Sequence, residues 1–242
     1  MELLEAIKTR RSIRAYKPDP IPKEVLTELL DVARWAPSSA NTQPWEFYIL
    51  TGEVLERYNR SLVEKVRSGE IYKPCPDPDT DIFTIHPKGP YAKRQGKLFK
   101  QVSELMEPEE GKSKMRIWFE KSVSGYGAPA RIIIAADKQA SGWFILDIGL
   151  ITQTIALAAQ EFGLGICILG DAAAFPGELR KIANIPESKR VVIGIAIGYP
   201  DWNNSVNDLR TDREPIEKLV TWRGMEKKNK EGKKNEEVTR GK

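Results

Sequence analysis

A single histidine, His86, and two cysteines, Cys75 and Cys167, are all that 242 residues hold of those types. One imidazole in a Pro/Gly-rich stretch is too little for a histidine-based metal site or a Ser-His-Asp triad. Two distant cysteines make neither a disulfide framework nor a metal-ligand spacing, and Cys167, inside an apolar run, reads as a buried reduced thiol. A reduced, cytoplasmic setting is the expectation. With charges from Glu2 onward, a basic–apolar–small leader is not expected. Long uninterrupted apolar runs are missing too. The most apolar stretch, Trp143 to Phe162, carries Asp147, Gln153, Gln160 and Glu161, which a membrane span of about 20 residues does not readily tolerate. It is expected to be a buried helix, with no membrane partner. A large excess of either charge is absent as well. Of a net +4, the segment Glu226 to Lys242 supplies three, with seven Lys/Arg against four Glu. A basic nucleic-acid face is therefore not expected on the folded part, and residues 226–242, nearly without apolar side chains, are expected to be a disordered tail. No GxxxxGK[ST] occurs. Gly163–Gly165 follows a helical pattern and precedes a strand, the reverse of the order a dinucleotide fingerprint needs, and lacks the third glycine.

With 40% apolar and 8% aromatic residues, the chain is long enough for one large core, and nothing marks a second domain. Residues 1–225 are expected to form it. Hydrophobic periodicity predicts helices over Met1–Thr9, Pro22–Trp35, Glu53–Val66, Tyr91–Met106, Lys112–Ser122, Gly142–Phe162 and Phe175–Ile182. Strands are expected over Glu46–Leu50, Ala130–Ala136, Ile166–Leu169 and Arg190–Gly198, with a last short one at Leu219–Trp222. There is no regular βαβ alternation, so the class is α+β: a sheet flanked by helices. Five prolines between Pro74 and Pro90 break up Ile71–Tyr91. An irregular region of this size usually serves as a lid or binding loop, and residues 67–125 are read that way. The helix over Gly142–Phe162 is apolar on nearly all sides, so its own fold or a partner must cover it.

Chemistry concentrates near the start, in two pieces. The first is RRSIRAY, Arg10 to Tyr16. Extended, it puts Arg10, Ser12 and Arg14 on one face and Arg11 and Ile13 on the other. Two guanidiniums flanking a hydroxyl suit a phosphate or another planar anion. The second is APSSANTQPWEF, Ala36 to Phe47. It crowds Ser38, Ser39, Asn41 and Gln43 between Pro37 and Pro44, groups suited to edge-on hydrogen bonding with a polar ring, and Trp45 offers a flat apolar neighbour. Together they describe a site for a ligand with a phosphate at one end and a polar heterocycle at the other. The turn Leu169–Gly170 is a third candidate, where glycine lets bare backbone approach a ligand.

RRSIR followed after one helix by PSSxNxQPW resembles the nitroreductase family of FMN-dependent oxidoreductases. GLGICILGD (Gly163–Asp171), VIGIAIGYPD (Val192–Asp201) and LRTDREPIEKLVTW (Leu209–Trp222) extend the likeness in the same order. The resemblance implies a three-layer sandwich with a mostly antiparallel central sheet, in an intertwined homodimer with FMN at the subunit interface. It places tightly bound FMN on Arg10, Arg11, Ser12 and Arg14, with Arg213 or alternatively Arg210 at the phosphate. Arg14 would lie near the pyrimidine end of the ring. Pro37, Ser38, Ser39, Asn41 and Gln43 would meet the cofactor, from the other subunit, and Leu169–Gly170 would lie beside the ring. The variable region would border the acceptor opening, with Tyr91, Phe99, Trp118, Phe119 and Tyr126 as candidate lining residues. No protein acid or base need be catalytic, since the cofactor carries the hydride transfer.

The implied activity is ping-pong hydride transfer from NADH or NADPH through FMN to an electron-poor acceptor such as a nitroaromatic or quinone. Same-scaffold alternatives are a reductive dehalogenase and a flavin-breakdown enzyme, and a non-catalytic FMN-binding redox module is an alternative of a different class. A third is a nucleic-acid binder acting through the Lys-rich tail, which steeply salt-dependent binding would reveal.

Overall fold

The computed structural model describes residues 2–70, 88–139 and 142–224. His86, Cys75, most of the proline-rich stretch and the Lys/Glu-rich tail lie outside the described residues. The chain divides into two compact units, Met1–Arg210 and Thr211–Lys242.

In the first unit, four strands form one antiparallel sheet: β1 (Glu46–Thr51), β2 (Ala130–Asp137), β3 (Gly165–Leu169) and β4 (Lys189–Gly198), in the order β1-β2-β4-β3. Register runs from Glu46 opposite Ala135 to Thr51 opposite Ala130, and from Gly165 opposite Gly198 to Leu169 opposite Gly194. An irregularity at Ile134/Ala135 shifts β2 against β4. Successive side chains point to opposite faces, and both faces are covered, so the strands read as continuous apolar runs. On one face Ile132, Ile134, Ile166, Ile195 and Ile197 pack in the main core with residues of α2 (Lys23–Ala33) and α6 (Gly142–Glu161). On the other, Ile133 and Val191 meet Leu55, Tyr58 and Leu62 of α3 (Gly52–Arg67) and Leu179 of α8 (Pro176–Ala183). Cys167, Leu169 and Ala196 also lie on this second face, under Tyr126. This is the expected three-layer α+β arrangement.

The remaining helices are α1 (Leu3–Thr9), α4 (Pro90–Glu104), α5 (Lys114–Val123) and the four-residue α7 (Asp171–Ala174). The apolar periods place all of these but α7 correctly. α6 is the one helix among the described residues long and apolar enough to cross a membrane by length and composition. Here it packs on α1, α2 and β3, and only one side of it is buried. Ile148, Ile151, Ile155 and Ala159 face the core, while Trp143 is 64%, Leu146 53% and Leu150 39% exposed.

In the second unit the described residues hold one turn of 3-10 helix, Ile216–Lys218. Leu219–Trp222 is not the short strand its composition suggests. No neighbouring strand pairs with it among the described residues, and an unpaired strand leaves its N–H and C=O groups unmatched.

Candidate functional site

Arg10 to Tyr16 is extended, as the alternation requires, and runs beside the outer edge of β3. Ser12 bridges Ile166 in parallel register, and the Ile13 N–H donates to the Ile166 carbonyl at 2.9 Å. Ile13 packs so tightly on Gly165 that a Cβ there would stand 2.4 Å from its Cγ1. Asn207, which is 1% exposed, locks this segment. Its Oδ1 accepts from the Arg14 N–H at 2.8 Å, and its Nδ2 donates to the carbonyls of Ala15 and Asp201, each at 2.8 Å. Its own carbonyl accepts from Arg11 Nη1 at 2.7 Å, and the Arg11 guanidinium lies 4.7 Å from the Trp202 ring centroid.

Arg210 reaches the same region, donating from Nη1 to the Thr9 carbonyl at 2.6 Å. Burial and the nearby Arg210 push the Arg11 guanidinium below its ordinary value, with Asp208 opposing. This concentration of positive charge beside α1 suits an anion. Arg10 is half-buried beside it. Arg213 belongs to the second unit, where its exposed guanidinium turns back on its own backbone, donating to Thr211 Oγ1 at 2.8 Å and to the carbonyl of Asp212 at 2.9 Å.

Arg14 lies on the second sheet face with Ser12, Cys167 and Tyr126. Burial raises the Cys167 thiol, while Arg14 and a hydrogen bond with Ser12 oppose the rise. Burial likewise raises the Tyr126 phenol, and both Arg14 and a hydrogen bond with Ser122 oppose it. Cys167 is buried, as its apolar surroundings suggest. Leu169, at 6% exposure, joins the same cluster, and Gly170 follows it into α7.

The second piece behaves differently. Pro37, Ser39, Asn41 and Gln43 are exposed, and Ser38 is half-buried. Ala40, Asn41 and Gln43 have φ of 50°, 58° and 46°, conformations that non-glycine residues adopt at a cost and that gather at functional loops. The loop is pinned from below: both oxygens of buried Asp147, on α6, accept from the Ser39 N–H at 3.1 and 3.2 Å. Ser38 Oγ accepts from the Gln43 N–H at 3.0 Å, and Gln43 Nε2 donates to the Asn41 carbonyl at 3.2 Å. Trp45 is not a ligand wall. It is 9% exposed and packs in the main core, because the strand that starts at Glu46 turns it inward.

Within one protomer the two pieces do not converge. The loop is fastened to α6, on the first sheet face, whereas Ser12 and Arg14 join the cluster on the second. Along α6, Asp147 under the loop and Gln160, whose Nε2 donates to the Ala6 carbonyl at 3.1 Å in α1, are separated by about 20 Å at 1.5 Å per residue.

Of the aromatic candidates, Phe99, Trp118 and Phe119 form a run of tilted rings with centroids 4.8 and 4.9 Å apart. Trp118 packs against the Tyr126–Cys167–Leu169 cluster, while Phe119 packs against the core under α3. Tyr126 is buried with φ of 57°. Tyr91 is 68% exposed beside Arg94 and stands apart. Sequence reasoning missed Asn207 and the buried pair Arg131–Asp171, joined at 2.9 Å. A lone charge inside the run ARIIIAA was the available signal for Arg131; Asn207 has none.

The geometry offers a group of guanidiniums along the β3 edge, an apolar cluster of Cys167, Leu169 and Ala196 on the second sheet face, and a polar loop fastened to α6. Residues 7–199 match the model of the nitroreductase family. The chain is 30% identical to a 4-nitrobenzoate reductase of Pseudomonas putida, covering 91% of this chain and 95% of that one. It is likewise 30% identical to a chloronitrobenzene nitroreductase of Comamonas testosteroni, covering 90% and 95%. Among solved structures, the FMN-dependent nitroreductase NfnB of Mycobacterium smegmatis, in complex with NADPH, superposes with a TM-score of 0.80 at 24% identity, covering 91% of this chain and 97% of that one.

Proposed function

The chain belongs to the nitroreductase family, and from that premise we propose that it is an FMN-dependent NAD(P)H oxidoreductase that reduces electron-poor acceptors, nitroaromatics and quinones, in ping-pong fashion. The observation that carries the reading is the extended segment beside β3, which bears Arg10, Ser12 and Arg14, is held by Asn207, and is met at its start by Arg210 on the Thr9 carbonyl. These residues fit the cofactor. Guanidiniums and a hydroxyl match a phosphate, and the adjoining Cys167, Leu169 and Ala196 supply the apolar surroundings a ring favours. FMN, when bound, supplies the hydride relay between the nicotinamide and the acceptor.

The chain's own part is binding and electrostatics. Arg10 and Ser12 hold the phosphate, with Arg210 as the further cation. Arg14 would supply the positive charge that stabilises the ring when it gains electron density. The Leu169–Gly170 backbone orients the ring, and the Trp118–Tyr126 side keeps water from it. Protons for the acceptor come from solvent.

The site is completed by a second copy of this chain. Leu3, Leu4 and Ile7 of α1, Trp35 after α2, and Trp143, Leu146 and Leu150 of α6 are exposed apolar side chains, and a monomer rarely leaves a large apolar face uncovered. A two-fold dimer covers such a face with itself. It also supplies Pro37, Ser38, Ser39, Asn41 and Gln43, which cannot reach the Arg14 side within their own protomer. A single FMN-binding domain over residues 1–225 and a cytoplasmic setting go with this reading.

The visible spectrum of the purified protein, before and after NADH or NADPH, tests it. A flavin band that bleaches with reductant and returns on adding a nitroaromatic is expected. Colourless protein that quenches no added FMN fluorescence would overturn the proposal, and flavin retained without turnover would leave only a binding module.

A further inference from the structure

Arg131 stands inside β2 with 0% of its surface exposed. It donates from Nη1 to Asp171 Oδ2 at 2.9 Å and from Nη2 to the Val123 carbonyl. Its guanidinium lies 5.2 Å from the Tyr58 ring centroid. Its Nε occupies the space a side chain at residue 125 would need: a Cβ on Gly125 would come within 2.9 Å, and Gly125 has φ of 69°. One side chain thus joins three segments. Asp171 is the first residue of α7, directly after the Leu169–Gly170 turn. Val123 is the last residue of α5. Gly125 opens the tight turn that carries Tyr126.

Stability is a poor account of this arrangement. A buried ion pair recovers its desolvation only with all its hydrogen bonds made, and here Arg131 Nε and Asp171 Oδ1 have no hydrogen-bond partner. What the pair does provide is a fixed distance between the Leu169–Gly170 turn and the Tyr126 turn, whose side chains meet in one buried cluster. We infer that Arg131 and Asp171 are positioning residues that set the separation between the backbone beside the flavin ring and the Tyr126 wall of the acceptor opening. The inference rests on the function proposed above. It predicts control over how the bound ring reacts and little control over whether FMN is held, because the phosphate end lies at the β3 edge.

The test uses full-length holoenzyme carrying Asp171→Asn, which keeps the shape and removes the charge, with Arg131→Met and Arg131→Lys beside it. Four readouts are compared with wild type: FMN dissociation constant, visible circular dichroism of the bound flavin, rate of flavin reduction by NADPH per bound FMN, and melting temperature. Asp171→Asn is expected to change FMN affinity by no more than about threefold. It should alter the flavin dichroism and slow reduction by about tenfold or more, as misplacement of reacting groups does. Arg131→Lys should recover part of both. A lower melting temperature with unchanged dichroism and unchanged reduction per flavin makes the pair merely structural and overturns the inference. So does failure of every variant to fold. Wild type that takes up no FMN instead overturns the function beneath it, and this inference falls with it.

Discussion

At the scale of single residues, the candidate site is a contrast between charges the fold leaves available and aromatics it consumes. Arg14 has its backbone N–H held by Asn207, so its guanidinium is delivered to the Cys167–Tyr126 side at little further conformational cost. Arg14→Glu should weaken FMN binding by about a hundredfold or more, since it removes a charge-assisted contact worth roughly 1.5–3 kcal/mol and adds a repulsion. Trp45→Ala should do the opposite. It should cost about 3–5 kcal/mol of stability, as core aromatics do, while FMN affinity in the folded protein changes little. Fluorescence titration with FMN and urea unfolding on the same two proteins separate the cases; a reversed pattern would return Trp45 to the ligand. The sequence pattern shows both residues in the company of polar groups and cannot rank them. Trp45 looks like a ring neighbour because it adjoins Asn41 and Gln43 in sequence, yet the strand beginning at Glu46 decides where it points.

At the scale of elements, period was the reliable signal. Runs such as VLTELLDVA and RIIIAAD announce a helix with one buried stripe and a strand buried on both faces, and they folded so. The Arg10–Tyr16 segment was legible for a different reason, since its alternation of charged and apolar side chains has meaning only when extended. What stayed hidden were contacts between distant segments. Asp147 under Ser39, Asn207 under Arg14 and Asp171 on Arg131 are each set by packing that no local period encodes. Leu219–Trp222 failed similarly, because β-branched and aromatic composition cannot supply a neighbouring strand.

The helix α5 carries the element-scale prediction. Glu120 on its buried side accepts from Lys112 at 2.9 Å and from Arg116 at 3.1 Å, with Arg67 of α3 at 3.5 Å. Burial alone would raise this carboxyl, but hydrogen bonds from Lys112 and Arg116 outweigh it and hold it below the usual carboxylate range. A carboxyl depressed in the folded state stabilises above its unfolded pKa, and that contribution disappears as pH falls through the folded value. Glu120→Gln should therefore be less stable than wild type at pH 7, with the gap closing in acid. Urea unfolding from pH 7 down to pH 3 measures this, and a gap independent of pH would show that the network contributes only shape.

At the scale of the whole molecule, everything depends on two pieces of one sequence that a single protomer holds apart on opposite faces of its sheet. If each site takes its Arg10–Arg14 edge from one subunit and its Ser38–Gln43 loop from the other, two defective proteins should repair one another. One variant would carry Arg10→Glu with Arg14→Glu, keeping a normal loop; the second would carry Ser39→Trp with Asn41→Trp, keeping a normal edge. Each alone should retain no flavin. Unfolded together in equal amounts and refolded, half of the dimers should be mixed by chance, and each mixed two-fold dimer should own one fully intact site and one doubly damaged one. Roughly a quarter of the wild-type flavin and of the NADPH-dependent turnover should therefore reappear. Sites assembled within one protomer predict no recovery at any ratio, because every copy then carries a damaged site of its own. A single titration of one variant against the other thus decides whether the exposed faces of α1 and α6 and the strained polar loop serve one purpose.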